Sequence, residues 1–304
     1  MSDQESFATR FRALTTLENL PPPVFAALLL VNGLLGSAPA TAAIAIDSEL
    51  AYTSDSNVTR AHYDSDIQHD QFFSVGAGAN YVQWLNQNHR LIYRGFLRGE
   101  KYRHFDKLSH VTAGANFTYQ YRASGAFSAP TYGVFAKGAV DEYKSNLRDS
   151  TLGTFGVSWR KPITDRVTFT TILSENWRDS DSTVFDTKET SLLLNGDYAW
   201  GSRTTIYLTY NYFRGDIVST STNPNSPRLK FVDNANAINA DDAFGTGAVA
   251  YRLDGYTNVA TLGMNYKLGE QHSLDFSARY AESHATGGIT YNRYLISAAY
   301  LARF

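Results

Sequence analysis

The chain has 304 residues, with 27 Lys and Arg against 29 Asp and Glu, and its formal net charge of -2 argues against nucleic acid as a partner. It has no Cys, which excludes disulfides, thiolate metal sites and a lipidated cysteine anchor. Twenty Tyr and eighteen Phe coexist with a negative mean hydropathy, so the apolar residues must be dispersed among polar ones rather than gathered into membrane helices.

Residues 1–42 form a front end of their own. Arg10 and Arg12 precede an apolar run over residues 24–35, and residues 36–43 are small, with Ala in an A-x-A pattern. Basic, then apolar, then small is the order of a secretory signal peptide, with cleavage expected after Ala42 or Ala40. The run falls short of the roughly 20 apolar residues of a membrane helix, and Asn32 and Gly33 interrupt it. Asp3, Glu5, Glu18 and the triplet Pro21 to Pro23 lengthen this region beyond what a signal peptide needs, which points to a true start downstream of Met1.

From residue 43 onward short segments alternate with period two. Residues 44–52 put Ile44, Ile46, Ser48, Leu50 and Tyr52 on one face and Asp47 and Glu49 on the other. Residues 54–70 carry Asp55, Asp64, Asp66 and Asp70 without a pattern and read as a loop. Residues 71–84 return with Phe73, Val75, Ala77, Ala79 and Tyr81 aligned, and Asn86, Gln87 and Asn88 make a short turn. Over 89–102, Leu91, Tyr93, Gly95 and Leu97 oppose Arg90, Arg94, Arg98 and Glu100. Over 109–122, Val111, Ala113, Ala115, Phe117, Tyr119 and Tyr121 alternate with polar or small residues, a period that fits no helix.

After a Gly-Ser-Pro turn at 124–130 come strands at 132–143 and 150–160, then a turn marked by Pro162 and Asp165. The pair 166–178 and 187–200 follows, the second with Leu192, Leu194, Gly196, Tyr198 and Trp200 on one face. Residues 204–216 carry Ile206, Leu208, Tyr210 and Tyr212 outward, and residues 217–255 read as one long irregular loop, a length that is usually functional or disordered. Within it, residues 248–253 are available to extend the next strand. Strands at 256–268 and 272–284 lead to the last one, 288–304, where Tyr294, Ile296, Ala298, Tyr300, Ala302 and Phe304 share a face.

The count is twelve, and long acidic connections alternate in phase with turns of a few residues. One apolar and one polar face on every strand, aromatic residues at the strand ends and an even count describe an antiparallel up-and-down transmembrane β-barrel over residues 43–304, with both termini periplasmic. Tyr52, Tyr81, Trp84, Tyr119, Tyr198 and Trp200 fit aromatic girdles better than a sugar-stacking slide.

A chain ending on such a strand with a terminal aromatic resembles the C-terminal signature of Gram-negative outer-membrane proteins. That resemblance implies outer-membrane localisation, contact with lipid and lipopolysaccharide, and recognition of Phe304 and Tyr300 by the barrel-assembly machinery. The stretch from Ala51 to Arg60, AYTSDSNVTR, with an aromatic strand after it, resembles the opening of β-barrels encoded in exopolysaccharide operons, which implies a part in polymer crossing the outer membrane. Twelve-stranded barrels of other families include narrow channels for nucleosides and oligogalacturonate, and an outer-membrane phospholipase.

The chemistry favours a non-enzyme without cofactor or metal. None of the seven His sits in a nucleophile motif, and Ser283 and His284, adjacent on a strand, point to opposite faces. His104, Asp106 and His110 cluster at one rim, where a membrane protease of the Asp/His type would place them and a solvated loop would too. Asp179 with Asp181, and Asp241 with Asp242, lack the Gly and Glu of a calcium loop and read as water-facing. Arg90, Arg94 and Arg98 recur every four residues, so they share the lumen face with Glu100, Lys137, Asp141, Asp197, Asp275, Arg279 and Arg293. Two outcomes are open: a basic track with weak preference for anionic or sugar-like solutes, or arginines paired with carboxylates that plug the barrel. The reading is a monomeric, porin-like passive channel for small hydrophilic solutes. Its alternatives are an accessory barrel for polysaccharide export, a closed structural barrel and, last, a hydrolase.

Overall fold

A computed structural model describes residues 43–223 and 234–304. The expected signal peptide, residues 1–42, lies outside them. The strands are β1 (Ala43–Asp55), β2 (Asp70–Trp84), β3 (His89–Tyr102), β4 (His110–Arg122), β5 (Thr131–Tyr143), β6 (Ser150–Pro162), β7 (Val167–Ser180), β8 (Thr187–Trp200), β9 (Thr204–Ser221), β10 (Ala237–Ala240), β11 (Val249–Lys267), β12 (His272–Ala285) and β13 (Ile289–Arg303). All but β10 form one closed antiparallel ring in chain order, with β9 paired to β11 and β13 closing onto β1. The closing ladder runs from Asp47 opposite Arg303 to Asp55 opposite Leu295. Beyond it Ile46 and Phe304 exchange backbone bonds of 2.9 and 2.8 Å. A ring is the β solution that leaves no strand edge unpaired in hydrocarbon, where each unsatisfied backbone group costs several kcal/mol.

The outward face follows the expected alternation. Leu262 and Leu208 are each 59% exposed and Ile296 is 67% exposed, values that make sense only against lipid. Around this band the exposed aromatics fall into two girdles. Tyr52, Trp177, Tyr256 and Tyr294 lie toward one rim, and Tyr132, Trp200 and Tyr300 toward the other. Trp84, expected in a girdle, instead sits opposite Arg90 in the ladder and shares its inward face, because its even position on β2 opposes the outward set of Phe73 and Tyr81. The second, the turn rim, has short connections such as 85–88, 163–166, 201–203 and 268–271, together with the ring ends at Ala43 and Phe304. The first, the loop rim, has the longer connection 56–69 and, of the segment between β9 and β11, the described residues 222–223 and 234–248.

The ring has the twelve strands expected. Among the described residues one short strand lies outside it, β10, which adds to the rim-side end of β11 by pairing Ala237 with Arg252 through Ala240 with Val249. Against expectation, the stretch 217–255 is far from irregular throughout. The β9–β11 ladder continues without a break from Thr204 opposite Tyr266 to Ser221 opposite Val249, rising above the aromatic girdle. Above the bilayer there is no lipid face to impose apolar alternation, so the periodic signal vanishes while the hydrogen bonding continues. Gly215 further obscures it: its φ is +147°, and a Cβ there would sit 2.1 Å from the Lys188 carbonyl oxygen. The extension turns Ile217, Tyr251 and Leu253 inward against Ile289 and Tyr291, making a small apolar core inside the loop-rim end of the ring.

Depth in the lipid band sets the cost of a charge. Arg at Leu262, between the levels of Tyr256 and Tyr266 on the same strand, is expected to destabilise the barrel by about 2–4 kcal/mol, and Arg at Leu268, beyond the girdle, by about 0–1 kcal/mol. Urea titrations of the two variants refolded in lipid vesicles measure the difference. Equal costs would mean that Leu262 does not face the bilayer core.

Candidate functional site

The residues singled out as lumen-facing all lie on inward positions, but their charges are not equivalent. Arg94 Nη2 donates to Asp47 Oδ2 at 2.7 Å, and Asn80 Nδ2 donates to Asp47 Oδ1 at 2.7 Å. Gly78 leaves the space in which they meet, since a Cβ there would come within 2.8 Å of Arg94 Nη2. Arg98 lies 3.2 Å from Glu100 and 3.7 Å from Glu49. Asp141 sits 3.0 Å from Arg178 and accepts from Thr112 Oγ1 at 2.6 Å, while Arg293 is clamped on the fully buried Asp55 carboxylate. Two of the three arginines that suggested a basic track are therefore neutralised by neighbours that alternate-face reading could not pair.

The remaining cations have no carboxylate partner among the described residues. Arg90 bonds Gln120 at 2.8 Å and lies over the Trp84 ring, and with Arg122 and Arg160 it lines a recess of about 210 Å³ at the turn rim. Lys137 sits over the Phe96 ring at 5.1 Å. Arg279 lines a cavity of about 510 Å³ farther up. Against them stand Asp275, which accepts from Tyr207 Oη at 2.8 Å, Asp197, and Glu189 near the loop rim.

The loop rim is bridged by two straps. The first, residues 57–68, leaves the β1–β2 corner and is fastened to the end of β9. Thr220 N–H donates to the Thr59 carbonyl at 2.9 Å, and Asp66 accepts from Ser221 Oγ at 3.0 Å and from Asn223 N–H at 2.7 Å. The second, residues 237–248, springs from the β9–β11 hairpin and reaches the β3–β4 connection, with six ring strands between them in either direction. There Lys107 pairs with Asp242 at 2.7 Å and the Phe105 and Phe244 rings lie 4.8 Å apart. On its way it passes Arg148, whose guanidinium sits 4.1 Å over the Phe185 ring and 2.6 Å from the fully buried Asp241 carboxylate. Asp241 and Asp242 are thus not the water-facing pair expected. The first is buried under the strap as the counter-charge of Arg148, and only the second stays near water.

Charges at this rim are tuned by their partners. Hydrogen bonds from Lys101 and Lys144 hold the Asp106 carboxyl at a pKa of about 2. Burial works to raise Asp242, but Lys107 and Ser145 outweigh it and its pKa is lowered. The protease-like grouping does not form. His104 Nδ1 lies 2.9 Å from Asp70, Asp106 is held by its lysines, and the His110 ring stacks on Tyr143 at 4.3 Å.

Sequence reasoning missed Arg60, which was lost in a loop without periodicity. Asn57 Oδ1 accepts from Thr59 Oγ1 at 3.0 Å and from Ala61 N–H at 2.9 Å, and this knot holds Arg60 at a φ of +53°, sparsely populated for a residue with a side chain. Arg60 lines both the 510 Å³ cavity and a second one of about 320 Å³ beneath the straps. The run Ser56, Asn57, Val58, Thr59 was the available signal, since Asn and Thr side chains favour such local turns.

Two outcomes check this rim. Asp241→Ala strands the Arg148 charge at a cost of about 3–5 kcal/mol, so the second strap is expected to become protease-sensitive while the barrel keeps a β-rich circular dichroism spectrum. A strap as resistant as wild type would show that this pair does not fasten it. Because the folded pKa of Asp106 lies below its usual value near 4, its clamp to Lys101 and Lys144 is fully present above pH 4 and is lost as pH falls toward 2. NMR of the lysine ammonium groups across that window reads the loss, and a transition near pH 4 or above would contradict it.

No protein-family model matches the sequence, and no curated protein matches it. Among solved structures, an outer membrane channel from Pseudomonas putida F1 is 12% identical with a TM-score of 0.56, over 88% of this chain and 97% of that one. The CymD monoaromatic hydrocarbon channel is 8% identical with a TM-score of 0.45, over 86% and 88% of the two chains. The KdgM porin in complex with oligogalacturonate is 10% identical with a TM-score of 0.38, over 84% and 98%. At these identities the likeness is one of fold, and the fold, with its lipid-facing band, is that of an outer-membrane β-barrel.

Proposed function

We propose that the protein is a narrow passive channel of the outer membrane that passes small hydrophilic solutes and prefers anions. The observation that carries this reading is the unequal pairing inside the ring. Arg60, Arg90, Arg122, Lys137, Arg160 and Arg279 lack a carboxylate partner among the described residues. Most inward carboxylates, Asp47, Glu49, Asp55, Glu100 and Asp141, already serve other cations. Low-dielectric walls focus such a residual field, so it acts along the lumen and fades with salt. In this reading the loop rim faces the cell surface and the turn rim the periplasm. The barrel is a monomer in lipid and lipopolysaccharide, and exposed Tyr300 and Phe304 are read by the barrel-assembly machinery.

A closed barrel is the second reading, and the straps favour it, since the second one crosses the mouth to the opposite wall. Recording from refolded protein in planar bilayers separates the two. The channel gives discrete conductance steps and a reversal potential on the anion side under a KCl gradient. Arg90→Glu with Arg122→Glu and Arg160→Glu shifts it toward cations, whereas Arg94→Gln with Asp47→Asn, which removes a neutral pair, leaves it nearly unchanged. Silence in the bilayer means a closed barrel, and cation preference in the wild type contradicts the electrostatic argument.

A further inference from the structure

The boundary between the two loop-rim cavities has a composition of its own. Arg60, Glu189, Asp216 and Arg293 line both. Arg293 is held by Asp55, and Asp216 lies 3.7 Å from Arg252, so these charges are answered within the protein. Arg60 and Arg279 are not: no hydrogen bond or ion pair engages either guanidinium among the described residues, and both are exposed to the lumen. Glu189 offsets one of the two charges, leaving the cavity with one positive charge in excess. Enclosure, and then Arg293, lower the pKa of Arg60, although a guanidinium stays charged at neutral pH.

A second observation concerns hydrogen bonding. The Oδ1 of Asn211, in the wall of the 510 Å³ cavity, is buried and accepts no hydrogen bond. It is an unanswered acceptor set into the wall beneath the cavity surface. Around it Thr209, Thr257 and Ser283 add hydroxyls, and Leu193, Val259 and Leu295 give an apolar flank. The volume falls in the roughly 300–1,000 Å³ range of small-molecule sites. The donor set is thus cationic at one end, hydroxyl-complementary along one wall and apolar along another.

We infer that this cavity is a binding site for a small hydroxylated carboxylate of the sugar-acid class, its carboxylate taken by Arg60, its hydroxyls met by Thr209, Thr257 and Ser283, and Arg279 adding to the positive field of the wall. The inference rests on the channel reading for its role, as the station a solute occupies in transit, but not for its chemistry. A guanidinium fork matches a carboxylate, and the αL backbone of Arg60 presents that fork from the strap rather than from the wall. The strap that narrows the mouth therefore also supplies the group that takes the anion.

Calorimetric titration of the refolded, detergent-solubilised full chain with sodium glucuronate and with glucose tests the site, and bilayer recordings with the same two solutes test the transit role. Glucuronate is expected to bind at least about tenfold more tightly than glucose, the size of one charge-assisted contact. Arg60→Gln with Arg279→Gln abolishes that difference, Arg60→Lys keeps part of it, and Arg203→Gln, in a turn-rim connection, leaves it intact. If the Arg60 variants fail to fold, Arg279→Gln alone is expected to reduce it. Glucuronate binding no better than glucose in the wild type overturns the site, as does a full difference retained in a folded Arg279→Gln protein. Binding without conductance upholds the site and removes the channel, and conductance without glucuronate binding does the reverse.

Discussion

The structure depends on one constraint: in hydrocarbon every backbone N–H and C=O must find a partner in the protein. Twelve strands meet it by returning on themselves, and the seam is the ladder of β13 on β1, continued by the mutual bonds of Ile46 and Phe304. Closure then fixes two faces for every strand. The outside must be apolar, which places Leu50, Phe155, Leu262 and Ile296 in the open without penalty. The inside is relieved of that demand and can hold more than a dozen charged side chains, provided water or counter-charges answer them.

What the inside does follows from which charges are answered. Register decides this, because it sets Asp47 beside the space left by Gly78, where Arg94 can reach it. Pairing consumes the arginines of β3 above the turn rim and leaves the positive excess elsewhere: at the turn-rim mouth, at Lys137 and around Arg60 and Arg279. The straps complete the arrangement. They cover the loop rim with a buried ion pair, Arg148 with Asp241, and with an exposed one, Lys107 with Asp242, of which the buried pair is the more consequential when broken. The mouth and the interior field are in this way parts of one construction, joined at Arg60.

The ring was legible in the sequence because a lipid face imposes a period of two over ten or more residues. Tyr119 and Leu262 were assigned to the correct side from counting alone. Legibility ended where that face ended. The extensions of β9 and β11 above the girdle hydrogen-bond like the rest, yet Ile217, Tyr251 and Leu253 point into a small core rather than to lipid and show no outward stripe. The straps were invisible for another reason. Lys107 and Asp242 are 135 residues apart and meet across an opening, a contact that no local pattern announces. Likewise the spacing of Arg90, Arg94 and Arg98 told which face they share but not which of them Asp47, Glu49 and Glu100 neutralise.

The central claim is that the ring encloses a water-filled interior with a positive field. A chain without cysteine allows a direct test through a single Cys at Thr209, on the wall of the larger cavity, beside a second variant with Cys at the lipid-facing neighbour Tyr210. The rates of modification by an anionic and a cationic methanethiosulfonate of similar size are measured at low and high salt. The account predicts that position 209 reacts, that the anionic reagent is faster, that salt narrows the gap, and that position 210 in lipid vesicles does not react. A position 209 that is inert, or one modified faster by the cationic reagent, would contradict it.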